Sequence, residues 1–340
     1  MRRLIRLFTA LSPALFVSCL MAHQYGVVRL PAEKAGNRRF DPALFRDVDA
    51  RALNTPPRKG EPLDSLARRI AGEARDELEQ VRAIWRWITA FISYDTGKKN
   101  YGARATLRDL RGTCQGYAEL FVELARRAGL RAVEVTGRGR GSGHLPGEPV
   151  RANHAWNAVR IDGKWHLLDA TYGAGQVNED RFIRGYREHF FLTPPGEFIH
   201  SHLPDLRRWQ LRERKISKKE FSNLPFYRHG YFTHGLRQSG GSRTAVIECE
   251  GDLALAFEAP GEIAVTINLR TPSGTTLVKK RFTGREGIVE INLAIKEPGR
   301  YYLYGWAGPD DDPAPPALAF VYLVVSKEGA PQTPLTDLVD

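Results

Sequence analysis

Cys114 sits in the stretch RGTCQGYAELF, residues 111–121, closely flanked by Gly112 and Gly116. Thr113 is of the type that caps a helix, which makes Cys114 the first helical residue. The first-turn N–H groups and the positive end of the helix dipole favour a thiolate there. The two glycines would let a substrate backbone come close. The chemistry this permits is attack on a carbonyl, given a base and a group to orient that base. The plainer reading of the same residue is a small buried hydrophobe.

A base is legible further along. HAWNAVRI (154–161) and KWHLLDAT (164–171) alternate as strands do, and Asp162-Gly163 between them is a strong two-residue hairpin signal. That turn pairs Ile161 with Lys164, so Trp156 faces Asp169, and His154 shares the face of Trp156. His154 and Asp169 are then diagonal neighbours, roughly 7–8 Å apart at the backbone and within hydrogen-bond reach of each other. A one-residue slip would destroy the arrangement. Cys114, His154 and Asp169 supply nucleophile, base and orienting carboxylate in papain-like chain order, with Asp in place of Asn. The hairpin argument does not itself bring Cys114 to the other two.

The elements that must position these residues follow from periodicity. Leu78, Val81, Trp85, Ile88 and Ile92 make one apolar stripe, so 64–92 reads as helical. Residues 93–106 read as a loop. Ala118, Phe121, Val122, Ala125 and Ala128 give the cysteine helix a buried face, and Gly129 ends it. RAVEVTG (131–137) reads as a strand. From about 243 the texture changes to seven short β-type runs separated by turn residues, as in a β-sandwich. The expected organisation is a signal segment over 1–22, an extended leader over 23–62, a catalytic-type domain over 63–240, a sandwich over 241–326 and a flexible tail over 327–340.

Composition narrows the class. The chain has 340 residues, 42% of them hydrophobic and 26% charged, ordinary for a globular protein of two domains. The balance is basic, 50 Lys and Arg against 39 Asp and Glu, and scattered. No basic helix or aromatic signature accompanies it, so nucleic acid is not expected as a partner. The N-terminal order of arginines, apolar run and small residues is that of a secretory signal, which implies an exported protein; without such a signal the chain would be cytoplasmic. FVSC at Cys19 resembles a lipoprotein box with Phe16 in place of the usual Leu; membrane association is expected only if Cys19 is lipidated. Three cysteines make no disulfide framework.

GTCQGYAELFVELARRAGL, NHAWNAVRIDGKWHLLDATYGAG and FFLTPPGEFIHSHLPDLRRWQL resemble the transglutaminase-like superfamily, in its kyphoscoliosis-peptidase-like branch, over residues 75–240. IWRWITAFISYD upstream fits the same pattern. The resemblance implies an α+β fold. Its papain/transglutaminase-like core packs the cysteine-bearing helix on an antiparallel sheet, and an all-β immunoglobulin-like sandwich follows. It implies Cys114 as nucleophile, His154 as general base and acid, and Asp169 as orienting carboxylate. The implied reaction is acyl transfer at an amide through a thioester, by a peptidase or amidase or a transglutaminase-type enzyme, with no cofactor. Protein or peptide substrates, cell-wall peptides among them, fit that chemistry. The backbone N–H of Cys114 is a natural oxyanion donor. ATLRDLRGT, just before the cysteine, lacks the Gln that papain-like enzymes use as the second, which keeps a catalytically weak interaction module as the alternative.

Other residues carry weaker chemical signals. Trp156 stands either to wall the acyl site as a substrate-binding residue or to pack the sheet. His200 and His202 form an H-x-H pair, but with no third ligand in view no metal is expected. GRGRGSG (137–143) lacks what a phosphate loop needs and reads as a mobile loop near the cleft. Asp310, Asp311 and Asp312 read as a solvated loop, and Cys249 as an inert core thiol.

Overall fold

The computed structural model describes residues 39–97, 102–141, 143–284, 286–310 and 316–327. The expected signal segment, Cys19 and all of the expected tail except Lys327 lie outside the described residues. No helix among the described residues is long and apolar enough to cross a membrane.

The stretch expected as an extended leader is helical over part of its length. Asp41 caps a short 3-10 turn, Pro42–Phe45, which runs into α1, Arg46–Leu53. Only Phe45, Val48 and Ala52 are buried there, too few to give a readable stripe. A neighbouring helix holds it instead. The helical pattern over 64–92 resolves into α2 (Leu63–Ala71) and α3 (Glu77–Phe91), the latter capped by Asp76. Arg82 of α3 is 1% exposed. It donates to Asp49 of α1 at 2.6 and 2.7 Å and to Glu188 at 2.6 and 2.8 Å. Its guanidinium also lies 4.7 Å from the Phe45 ring and 4.6 Å from the Phe191 ring. Two carboxylates and two rings thus converge on one buried charge.

The loop expected over 93–106 contains more order. Strand β1 (Ser93–Tyr94) pairs in parallel with β2 (Arg111–Gly112), and α4 (Ala103–Asp109) lies between them. This pairing sets the chain's approach to Cys114. Helix α5, Cys114–Arg127, then starts with Thr113 Oγ accepting from the Gly116 N–H at 3.4 Å, and Gly129 beyond its end has φ +84°.

The core sheet contains β3 (Arg131–Gly139), β4 (Ala152–Ile161), β5 (Lys164–Leu168) and β8 (His202–Pro204) in the order β5-β4-β3-β8, all antiparallel. The hairpin register is the expected one: Ile161 pairs with Lys164 and Asn157 with Leu168. Asp162 and Gly163 have φ of +47° and +78°, the two left-handed residues a type I′ turn needs. The Asn157 side chain donates to the Ala118 carbonyl at 3.0 Å, tying α5 to β4. Beyond Leu168 the chain leaves the ladder. Asp169 caps a short helix, Ala170–Ala174, and a second hairpin follows with β6 (Gly175–Asn178) and β7 (Arg181–Arg184).

All seven expected β runs of the C-terminal part form strands: β11 (Val246–Cys249), β12 (Asp252–Glu258), β13 (Ile263–Arg270), β14 (Thr276–Thr283), β15 (Ile288–Ala294), β16 (Gly299–Pro309) and β17 (Ala317–Ser326). The sandwich begins earlier than residue 241. Strand β9 (Phe226–Tyr227) pairs with β17, and β10 (Arg237–Gly240) pairs with β12. Two-residue strands show no alternation, which is why sequence placed that boundary late. One sheet runs β11-β17-β16-β13-β14 and the other β10-β12-β15. Their inner faces meet through stacked Phe257 and Phe320, 4.9 Å between ring centroids.

Replacing Arg82 with Met would leave Asp49 and Glu188 without their partner. We expect a loss of about 3–5 kcal/mol, read as a lower urea midpoint for the helical part, with the sandwich transition unmoved.

Candidate active site

Three elements deliver the three chemical groups to one place. Cys114 stands at the first turn of α5, half-buried and free of any disulfide. His154 lies near the start of β4 and is buried. Asp169 is fully buried at the point where β5 gives way to the next helix. His154 Nε2 lies 2.7 Å from Asp169 Oδ2, and the other oxygen, Oδ1, accepts from the Tyr172 N–H at 3.0 Å. With Nε2 given to Asp169, Nδ1 is the nitrogen left for the thiol. The Tyr172 ring stacks on the imidazole, 4.3 Å between centroids and 17° from parallel. Gly139 passes behind it. A Cβ there would come 2.7 Å from the Tyr172 hydroxyl and 2.9 Å from His154 atoms, so a side chain at 139 would push the imidazole aside.

The electrostatics favour a charged imidazole and a thiol that ionises more readily than usual. Burial pushes the Cys114 thiol up, but the neighbouring His154 outweighs this and the pKa falls below its usual 9.0, while the thiol itself donates to the Asn153 carbonyl at 3.8 Å. Burial also works against charge on His154. The Asp169 charge and hydrogen bond, with a smaller contribution from Cys114, prevail and push it up to about 10. Asp169 loses to burial and gains more from His154 and then His202, so it stays well below the ordinary carboxylate range.

His202, which sequence reasoning left to a structural or supporting role, is the member it did not place beside Asp169. It is fully buried, and its Nε2 lies 2.9 Å from the same Asp169 Oδ2 that His154 uses. Burial pushes its pKa down to about 4, against the pull of Asp169. It is therefore neutral at pH 7, with Nε2–H donating to Asp169 and Nδ1 accepting from the Ser201 hydroxyl at 2.7 Å. The signal available in sequence was the H-x-H pair itself, but His200 turns elsewhere, to the Pro225 carbonyl at 3.1 Å. His154, Asp169 and His202 do offer three ligand atoms within 4.8 Å of one another. Both ring nitrogens are already committed to one carboxylate oxygen, so a cation would have to replace those bonds.

Trp156 does not wall the cleft. It is 1% exposed and packs against His202 (4.9 Å between ring centroids), Phe198 (6.0 Å) and His154 (5.9 Å). Residues 198–204 fold over its face of the sheet, a long-range placement that strand alternation does not reveal. Gly137–Gly139 of the expected GRGRGSG loop belong to β3, while Gly139, Arg140, Gly141 and Gly143 line the cleft. Cys249 packs partly buried against the sandwich core. Asp310 bonds Arg281 at 2.7 Å, and Asp311 and Asp312 lie outside the described residues.

A cysteine at a helix start, a histidine on the adjacent sheet and a carboxylate after the hairpin define the papain/transglutaminase-like class. Residues 64–170 match the model of the transglutaminase-like superfamily. The chain belongs to this superfamily, in its kyphoscoliosis-peptidase branch. It is 32% identical to the kyphoscoliosis peptidase of Mus musculus over 244 residues, covering 69% of this chain and 35% of that protein. It is 31% identical to hillarin of Drosophila melanogaster over 226 residues, covering 61% of this chain and 28% of hillarin. The chain thus spans about a third of the length of the curated relatives it matches. Among solved structures, the periplasmic domain of TgpA from Pseudomonas aeruginosa aligns at 23% identity with a TM-score of 0.29, covering 39% of this chain and 48% of that one.

Two pH dependences follow. Iodoacetamide should alkylate Cys114 at pH 6–7 faster than a free thiol, and Asp169→Asn should move the half-titration of that rate upward. A free-thiol rate profile in the unsubstituted protein, measured by mass spectrometry, would contradict the coupling. Separately, His200 and His202 are each pushed down to about 4 by burial, while unfolded histidines titrate near ~6.5. Between those values the unfolded chain binds more protons. The melting temperature should therefore fall as pH drops from 6.5 to 4, and less steeply in His202→Gln.

Proposed function

We propose that this chain is a cysteine-dependent acyl-transfer enzyme acting on amide bonds of protein or peptide substrates. The observation that supports this best is the Asp169–His154 hydrogen bond at an open cleft, next to a Cys114 whose thiol pKa His154 lowers. The Cys114 thiolate would attack the amide carbonyl carbon. The developing oxyanion would meet the Cys114 N–H, a first-turn donor without an intrahelical acceptor. His154 would then pass its Nδ1 proton to the leaving nitrogen as the C–N bond breaks, leaving a thioester on Cys114. Water or an amine, deprotonated by His154, would attack the thioester and release acid or new amide together with the thiolate. Asp169 would hold the imidazole in the productive tautomer, and His202 would hold Asp169. Hydrolysis and transfer share this intermediate, and the acceptor decides between them.

The name of the mouse and human relatives, kyphoscoliosis peptidase, agrees with the hydrolytic branch. The deciding experiment is to trap the intermediate. A mixed peptide digest is incubated with the protein, quenched in acid, and Cys114 is examined by mass spectrometry for a hydroxylamine-labile acyl adduct. We expect the adduct in the unsubstituted protein, none in Cys114→Ala, and a drop of at least ~10³-fold in turnover for His154→Ala. Turnover unchanged by Cys114→Ala would defeat the proposal.

A further inference from the structure

The cleft lined by His154 and by Asn153, whose carbonyl lies 3.8 Å from Cys114 Sγ, has a volume of about 790 Å³, and its lining is unevenly charged. Arg140, Arg187 and Arg228 line it together with His189 and His229. The acids that reach it, Glu148 and Glu179, are exposed residues, and Glu148 accepts from the Leu145 N–H at 3.2 Å. Among the described residues, every hydrogen bond of the three guanidiniums goes to a neutral acceptor. Arg140 donates to the carbonyls of His200, Leu224 and Phe221, Arg228 to those of Arg140 and Gly141, and Arg187 to the Gln176 side-chain oxygen. Nε and Nη2 of Arg228, and Nε and Nη1 of Arg187, have no acceptor among the described residues. This chain neutralises a buried guanidinium elsewhere, since Arg82 carries two carboxylates. Among the described residues, buried Arg140 and half-buried Arg187 and Arg228 have no such counter-charge, and a charge drawn partly out of water without a partner is costly.

Neighbouring groups register the same positive field. Burial, then the charges of Arg187 and Arg228, push His229 down to about 3. Burial, then Arg187, push Arg228 itself down to about 10. The field lies close to the reacting groups. Tyr172 stacks on His154, and its hydroxyl lies where a Cβ on Gly139 or Gly141 would meet it at 2.7 or 3.3 Å. Arg228 Nη1 donates to the Gly141 carbonyl at 3.2 Å. One tyrosine side chain therefore spans from the imidazole to the guanidinium, a distance that an extended peptide covers in about two residues.

We infer that Arg187 and Arg228 form a carboxylate-binding subsite, and that the substrates are peptides carrying a carboxylate within one or two residues of the reacting carbonyl. The inference rests on the acyl-transfer reading above and adds a substrate class to it. A planar guanidinium fork with unused N–H groups is the partner a carboxylate fits best, and binding there would supply the missing counter-charge. The carboxylate could belong to a chain terminus or to an Asp or Glu side chain, and the test separates the two.

The full chain carrying Cys114→Ala is titrated calorimetrically, at neutral pH and low salt, with three peptides. Acetyl-Ala-Glu-Ala-amide carries only a side-chain carboxylate, acetyl-Ala-Gln-Ala acid only a terminal one, and acetyl-Ala-Gln-Ala-amide neither. We expect at least one charged peptide to bind tenfold or more tighter than the neutral one, and the winner identifies the carboxylate's source. Arg187→Met should remove the preference, Arg228→Met likewise, and Arg228→Lys should retain part of it. Arg187→Met keeps the test valid if Arg228→Met unfolds, because among the described residues the Arg187 guanidinium bonds only Gln176, and its backbone bonds survive the substitution. Equal affinities for all three peptides, undetectable binding included, would overturn the inference, as would a preference that survives both Met variants. Binding is read without turnover. A protein that never forms a thioester would still pass, and an active enzyme indifferent to carboxylates would still fail.

Discussion

Asp169 Oδ2 accepts from two imidazoles at once, His154 at 2.7 Å and His202 at 2.9 Å, with no exposure to solvent. An ionised carboxylate is costly to bury unless its lone pairs are used. Here one oxygen takes two imidazole donors and the other takes the Tyr172 N–H. The two imidazoles differ in kind. His202 is held neutral by burial, and His154 is charged chiefly through the charge and hydrogen bond of Asp169, with a smaller contribution from the cysteine. One carboxylate therefore carries one full counter-charge and one neutral brace. That division fixes the orientation of both rings and the tautomer of His202, because each ring gives Nε2 to the aspartate. It leaves Nδ1 of His154 as the nitrogen that can face Cys114.

Several local choices serve this contact. The Asp162-Gly163 turn sets the hairpin register that brings His154 and Asp169 onto neighbouring positions. The ladder ends at Leu168, and Asp169 turns out of it to cap the next helix. A residue with two acceptor oxygens can cap and orient together, one oxygen for each task. Gly139 keeps the neighbouring strand close to His154 without displacing it. Strand β8 brings His202 in from the far side of the sheet, next to β3.

What was legible in the sequence was local. The Thr113 cap, the hairpin register and the seven C-terminal strands each depend on patterns a few residues long, and each appears as read. Apart from the short helix α4, whose two buried positions make no stripe, the misses depend on distance along the chain. Helix α1 is stabilised by Arg82, thirty-three positions from Asp49, and has no stripe of its own. His202 reaches Asp169 across thirty-three positions, from a three-residue strand. Trp156 became core because residues 198–204 cover it. The sandwich starts early because β9 pairs with β17 over only two residues. Short strands and single long-range contacts carry no periodicity, so no window along the sequence contains them.

The same long-range closure shapes the cleft. One side is built by Tyr172, Gln176 and Arg187 of the core, and another by Tyr227, Arg228 and Phe232 from the segment that joins the sandwich sheet. The sandwich is therefore part of the candidate site's wall, and a core cut at residue 225 would lose it. At the reacting groups themselves the deciding charge is that of Asp169: burial works against protonated His154, and the carboxylate's charge and hydrogen bond prevail over it. A neutral amide at position 169 would lose that charge, and the imidazolium that serves as the proton donor would go with it.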